Sequence, residues 1–136
     1  MRVVIDTNVL ISAIFWTGKP KHLLNQVRLG KLTFLTSIAL LAELKEILTR
    51  KDKPFKLSVV EAEQVVAAMR DLAEIVEPRQ RLSICQDEDD NRVLECALEG
   101  RAEWIITGDL HLLRLQSLQG VPIVTVAGFL SQYEEA

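Results

Sequence analysis

Cysteine is scarce: Cys85 and Cys96 are the only two in 136 residues. Two thiols cannot supply the disulfide framework of a small secreted domain, and no Cys-x-x-Cys or Cys/His spacing is available for zinc. Both read as reduced packing residues. Histidine is equally scarce, and His22 and His111 read as surface or capping residues. Long apolar runs are missing: nothing approaches the roughly 20 residues that span a bilayer. The start Met1-Arg2-Val3-Val4-Ile5-Asp6 reaches an acid too early for a secretory h-region. The expected location is therefore the cytoplasm, with no membrane contact. Repeats, low-complexity tracts and linkers are absent too, so one domain over residues 1–136 is expected.

What is there suffices for a core, since 49% of the residues are hydrophobic and 26% charged. The net charge of -3 hides an asymmetry. Residues 1–56 carry ten Lys or Arg against four acids, and residues 57–136 carry six against fifteen. A basic half attracts phosphate, whereas an acidic cluster repels it unless cations sit among the acids.

The chain alternates short apolar runs with helical stretches. Val3-Val4-Ile5, Thr33–Thr36, Trp104–Thr107 and Pro122–Val126 read as buried strands. Helices are predicted over Val9–Phe15, Pro20–Leu29, Ser37 to Arg50, Ser58 to Ile75, Asp87 to Gly100, Leu110–Leu115 and Ala127–Gln132. Ser58-Val59-Val60-Glu61 is a capping box. Pro78 to Gln86 reads as irregular, with Leu82 and Ile84 in a possible short strand. This order predicts an α/β fold in which helices cover both faces of a parallel sheet. Ligands bind such sheets beyond the C-terminal ends of the strands.

Several acids sit badly with a purely structural reading. Asp6 ends the first strand, though it also suits a strand-to-helix turn. Glu43 lies three residues after Leu40 and four before Ile47, on the apolar face of its helix, where a lone carboxylate is costly to bury. Asp90 precedes Val93 and Leu94 by three and four residues and shares their face. Acids in a first helical turn complement the helix dipole, yet Asp87-Glu88-Asp89-Asp90 places four mutually repelling carboxylates there. Asp109 follows the Trp104–Thr107 strand through Gly108; it also suits a helix cap. Together these acids read as a carboxylate cluster for Mg²⁺ or Mn²⁺, because an oxygen-only donor set favours hard cations over zinc. Such sites support in-line phosphodiester cleavage. Lys19, Lys21, Lys31, Arg50, Lys51, Lys53 and Lys56 read as a nucleic-acid backbone contact or as a solvated face.

The segments Ile5-Asp6-Thr7-Asn8-Val9-Leu10, Glu43, Asp87-x-x-Asp90-Asn91 with Ala97, and Thr107-Gly108-Asp109 together resemble the PIN domain. The resemblance extends to Val124-Thr125-Val126-Ala127-Gly128-Phe129-Leu130, and so covers nearly the whole chain. It is strongest to prokaryotic PIN proteins of type II toxin–antitoxin pairs, similar to VapC-type ribonucleases. It implies a three-layer α/β/α fold and Mg²⁺- or Mn²⁺-dependent endoribonuclease activity. It also implies that Asp6, Glu43, Asp90 and Asp109 form the acidic quartet, with Asp87 as accessory acid and Thr107 and Asn8 as auxiliary residues. A homodimer and a small antitoxin partner are further implications. On that reading Asp6, Asp90 and Asp109 hold one metal, and Glu43 and Asp87 complete the site or help hold a second.

Two other classes compete. A Mg²⁺-dependent phosphatase or phosphotransfer domain also ends its first strand in Asp, but it wants Asp-x-Asp where this chain has Asp6-Thr7-Asn8. A non-catalytic module could use the acids to hold a basic peptide, and the apolar-face position of Glu43 counts against that.

Overall fold

The computed structural model describes residues 1–135. Its elements in chain order are β1 (Arg2–Ile5), α1 (Thr7–Phe15), α2 (Lys19–Arg28), β2 (Thr33–Thr36), α3 (Ile38–Leu48), α4 (Val59–Leu72) and β3 (Glu74–Ile75). They continue with α5 (Glu88–Glu99), β4 (Trp104–Ile106), α6 (Leu110–Leu113), β5 (Ser117–Leu118), β6 (Val121–Val124) and α7 (Val126–Glu135). The six strands form one sheet in the order β3-β2-β1-β4-β6-β5.

Strand alternation divides the interior into two cores. Val3, Ile5, Phe34 and Ile106 face a core built with α1, α2, α3, α4 and α7. Val4, Leu35, Ile105 and Ile123 face a second core, built with α5 and α6. Val3, Val4, Leu35, Ile105 and Ile106 are all fully buried, which explains why these strands read as continuous apolar runs rather than alternating ones. Each such side chain contributes roughly 1.5–3 kcal/mol of burial. The result is the expected three-layer α/β/α arrangement.

The helix starts follow the local chemistry. Ser37 caps α3 by accepting from Leu40 N, and Ser58 with Glu61 closes the capping box at α4. Gly30 has φ +75° just past α2, a left-handed position that favours glycine. Gly100 ends α5 for a different reason: a Cβ there would come within 2.9 Å of both Cys96 O and Val76 Cγ2.

Four expectations need correction. Helix α4 stops at Leu72 rather than Ile75, because Glu74 and Ile75 pair with Leu35 and Thr36 as the parallel edge strand β3. The sheet is not wholly parallel: Ser117–Leu118 pairs antiparallel with Val121–Pro122. Leu82 and Ile84 form no strand; their amides are instead taken by side chains of α5, Leu82 N by Glu95 and Ile84 N by Asn91. Helix α6 ends at Leu113, two residues short of Leu115. Among the described residues, no helix is long and apolar enough to cross a membrane.

Candidate active site

Chain order reverses direction across β1: β2 lies on one side of it and β4 on the other. The crevice beyond the C-terminal ends of two such strands is where α/β sheets bind ligands. Asp6 leaves β1 there, and Thr107-Gly108-Asp109 leaves β4 there. The Asp6 amide donates to Ile106 O at 2.9 Å, which ties the two exits together.

Asp6 stands at the N-cap of α1, yet its side chain makes no capping bond. Its Oδ2 instead accepts from the Thr107 hydroxyl at 2.7 Å, and Asp6 is only 5% exposed. Thr107 is fully buried, and its Oγ1 also accepts from Asp109 N at 3.0 Å. One hydroxyl thus links both strand exits. Burial pushes the Asp6 carboxyl above the usual range; the Thr107 bond and the Thr7 amide oppose that rise, and the charges of Asp109 and Asp87 add to it.

Asp109 does cap its helix, accepting from His111 N at 2.7 Å. Its side chain also lies near Asp90 and bears on that carboxyl. Asp90, on the first turn of α5, is 6% exposed, and its Oδ2 is buried without a hydrogen-bond partner. Burial, followed by the charge and hydrogen bond of Asp109 and the charges of Asp87 and Asp6, pushes it up to about 7. Asp87 caps α5 through Asp89 N at 2.9 Å and is itself exposed.

Glu43 approaches from α3. It is half-buried, and its carboxyl is pushed up to about 8 by burial and by the charges of Asp89, Asp6, Asp87 and Asp90. The five acids singled out in the sequence therefore act on one another electrostatically, although they come from four separate elements. Asn8, exposed on the first turn of α1, lines a groove with Ser12, Pro20 and Asp109. A second groove holds Asp87, Asp90, Cys85 and His111.

Two residues that the sequence reading named but gave no site role belong to this edge. Asp89 exerts the largest charge effect on Glu43. Its own carboxyl is raised by burial, Asp87 and Glu46, against the pull of Arg50 and Arg92. Its place within a run of four acids offered no signal to separate it from Glu88. Asn91 is fully buried and holds the 84–85 backbone by three bonds: from Ile84 N at 3.1 Å, from Cys85 N at 2.7 Å and to Cys85 O at 2.8 Å. A polar residue next to Asp90 on a buried helix face was the available clue. The two cysteines are free thiols, and burial pushes Cys96 up to about 12, as suits a packing residue.

A hard divalent cation fits this edge by donor chemistry and charge. The acids supply hard oxygen donors, with Cys85 and His111 beside them in the adjacent groove; Asp90 Oδ2 is buried and orphaned, and Asp6, Glu43 and Asp90 are pushed up by burial and by neighbouring acids. The fit is not that of a preformed cage: among the described residues, no three acidic, histidine or cysteine side chains already stand in a ligand arrangement. Mg²⁺ tolerates this, since it typically takes one or two carboxylates and keeps several waters.

Comparison with known proteins accords with this architecture. The chain is 33% identical over 118 residues to an uncharacterized protein of Methanocaldococcus jannaschii, covering 85% of this chain and 76% of that one. VapBC2 of Rickettsia felis, solved bound to a DNA fragment from its promoter, superposes with a TM-score of 0.64 at 15% identity, over 92% of this chain and 98% of that one. PAE2754 of Pyrobaculum aerophilum superposes with a TM-score of 0.63 at 13% identity, over 99% and 90%. At such identities the two superpositions show a shared fold. The family model for the PIN domain matches residues 2–111, most of the chain, and on that ground the protein belongs to the PIN domain family.

Proposed function

We propose that the protein is a divalent-metal-dependent endoribonuclease, and that it acts as the toxin of a toxin–antitoxin pair. The carrying observation is the gathering of Asp6, Glu43, Asp87, Asp90 and Asp109 at the β1–β4 crevice, with the orphaned Asp90 Oδ2 among them. PIN domain membership supports the nuclease class. The shared fold with the R. felis VapBC2 protein supports a small antitoxin as partner. A homodimer and a cytoplasmic location complete the reading.

Asp6, Asp90 and Asp109 would hold Mg²⁺ or Mn²⁺, with Glu43 and Asp87 completing the site. Such an ion, when bound, lowers the pKa of a water and neutralises charge on the leaving oxygen. The remaining work falls to the chain. The Thr107 hydroxyl fixes the Asp6 carboxyl and the Asp109 amide in one arrangement. Glu43, half-buried and surrounded by the other acids, is placed to hold or pass a proton at its carboxyl. Water attack with a 3′-oxygen leaving group gives 5′-phosphate and 3′-hydroxyl ends.

The test is incubation of the protein, and of Asp6→Asn beside it, with single-stranded RNA and matched DNA in Mg²⁺, Mn²⁺ or EDTA. The expected result is metal-dependent RNA cleavage that Asp6→Asn loses. Wild-type cleavage in EDTA, or products ending in 2′,3′-cyclic phosphate, would overturn the mechanism. Cleavage of DNA alone would overturn the substrate.

A further inference from the structure

An aromatic cluster stands half in water at the end of α1 away from the acids. Phe15 stacks on Phe55, with centroids 4.7 Å apart and planes 10° apart. Trp16 meets them edge-on at 6.0 and 6.4 Å. Phe15 and Phe55 pack against the core, but Trp16 keeps 49% of its surface exposed. Packing accounts for the two phenylalanines and leaves the indole unexplained.

The surroundings are basic. Lys51, Lys53 and Lys56 flank Phe55, and Lys19 and Lys21 open α2 just after Trp16. None of these five takes part in an ion pair among the described residues. A groove runs from Asp109 past Asn8 to Ser12 and to Pro20, which Lys19 and Lys21 bracket in the sequence. Asn8 and Ser12, four residues apart, share one side of α1, and Trp16 caps its C-terminal end in an extended conformation. Asn8 to Trp16 spans about 12 Å at 1.5 Å per residue, room for three or four stacked nucleotides at roughly 3.4 Å each.

We propose that Trp16, backed by Phe15 and Phe55 and carried between two lysine-rich segments, is a base-stacking platform for single-stranded RNA, which runs along the Asn8–Ser12 groove to the acids. The proposal rests on the ribonuclease reading and names how that site holds its substrate. An acidic edge repels phosphate, so a strand delivered there must be gripped elsewhere. Exposed indole stacks on any base, and lysines neutralise the backbone. Grip of this kind is tolerant of sequence and confined to unpaired strands, because a base within a duplex offers no free face.

The experiment titrates the full chain, in EDTA to prevent cleavage, with a labelled ten-nucleotide single-stranded RNA. Anisotropy reads affinity and intrinsic fluorescence reads the indole. RNA should quench wild-type fluorescence, and Trp16→Ala should abolish that quenching and weaken binding roughly tenfold. Trp16→Phe should recover part of the affinity. Lys51→Glu with Lys53→Glu should flatten the salt dependence by about one to two unit charges. Unchanged affinity in Trp16→Ala overturns the platform. So does loss of a dimer in Trp16→Ala at unchanged RNA affinity, which would make Trp16 a contact between copies. Trp16-dependent binding by a wild-type protein that cleaves nothing in Mg²⁺ or Mn²⁺ supports the platform and sinks the nuclease reading alone.

Discussion

Glu43→Gln should raise stability while removing activity. Glu43 is a half-buried carboxyl held up to about 8 from an ordinary 4.5. In the metal-free protein, the folded chain therefore retains between those pH values a proton that the unfolded chain has released. Stability must fall as pH rises through that window. Taken at face value, the shift costs about 4 kcal/mol at pH 8. Glu43 is partly open to water, so solvent screening reduces this to about 1–2 kcal/mol. Glutamine keeps the shape and removes the charge. At pH 8 in EDTA, Glu43→Gln should therefore melt about 3–8 °C above wild type. At pH 5, where the cost is nearly gone, the two should melt within a degree or so of each other. Saturating Mg²⁺ should also narrow the gap at pH 8, by lending wild type the missing positive charge. Thermal unfolding followed by circular dichroism reads all three conditions. A variant less stable than wild type at pH 8 in EDTA, or a gap that does not change with pH, would refute the reasoning.

Asp6→Asn should lower RNA cleavage by roughly two orders of magnitude or more without lowering the melting temperature, since Asp6 is itself raised by burial; a matched pair of cleavage and melting assays checks this. Asn91→Ala should cost about 2–4 kcal/mol in urea unfolding, because three bonds to the 84–85 backbone are lost from a fully buried side chain. Gly100→Ala should destabilise by at least about 1 kcal/mol, because two of the atoms its methyl would crowd, Cys96 O and Val76 Cγ2, lie within 2.9 Å. Mg²⁺ at ten times its dissociation constant should stabilise wild type by about 1.4 kcal/mol, and Asp90→Asn should lose most of that gain; calorimetry with and without metal separates the two.

Strand β1, the Ser37 cap and the capping box at Ser58 were legible because each depends on a few adjacent residues with strong local chemistry. Strands β3 and β5 were not, because two-residue strands carry no periodicity. Glu74–Ile75 in particular continues an apolar helical pattern, and only pairing with Leu35 and Thr36 takes it into the sheet. The same limit applies around the acids. Strand ends and helix faces located Asp6, Glu43, Asp90 and Asp109. They could not reveal that Asp6 forgoes capping for the Thr107 hydroxyl, or that Asp89 weighs most on Glu43. Both facts depend on side chains from distant segments meeting in space.

Both outer strands of the sheet, β3 and β5, are two residues long. An edge that short offers almost no ladder of free amides and carbonyls for another chain to extend. The sheet is thus blunted against strand addition at both edges. A second copy, an inhibitory peptide or an aggregating neighbour finds little backbone to pair with there. Helices and loops offer the larger surfaces for macromolecular contact, and on them side chains rather than backbone decide who is accepted.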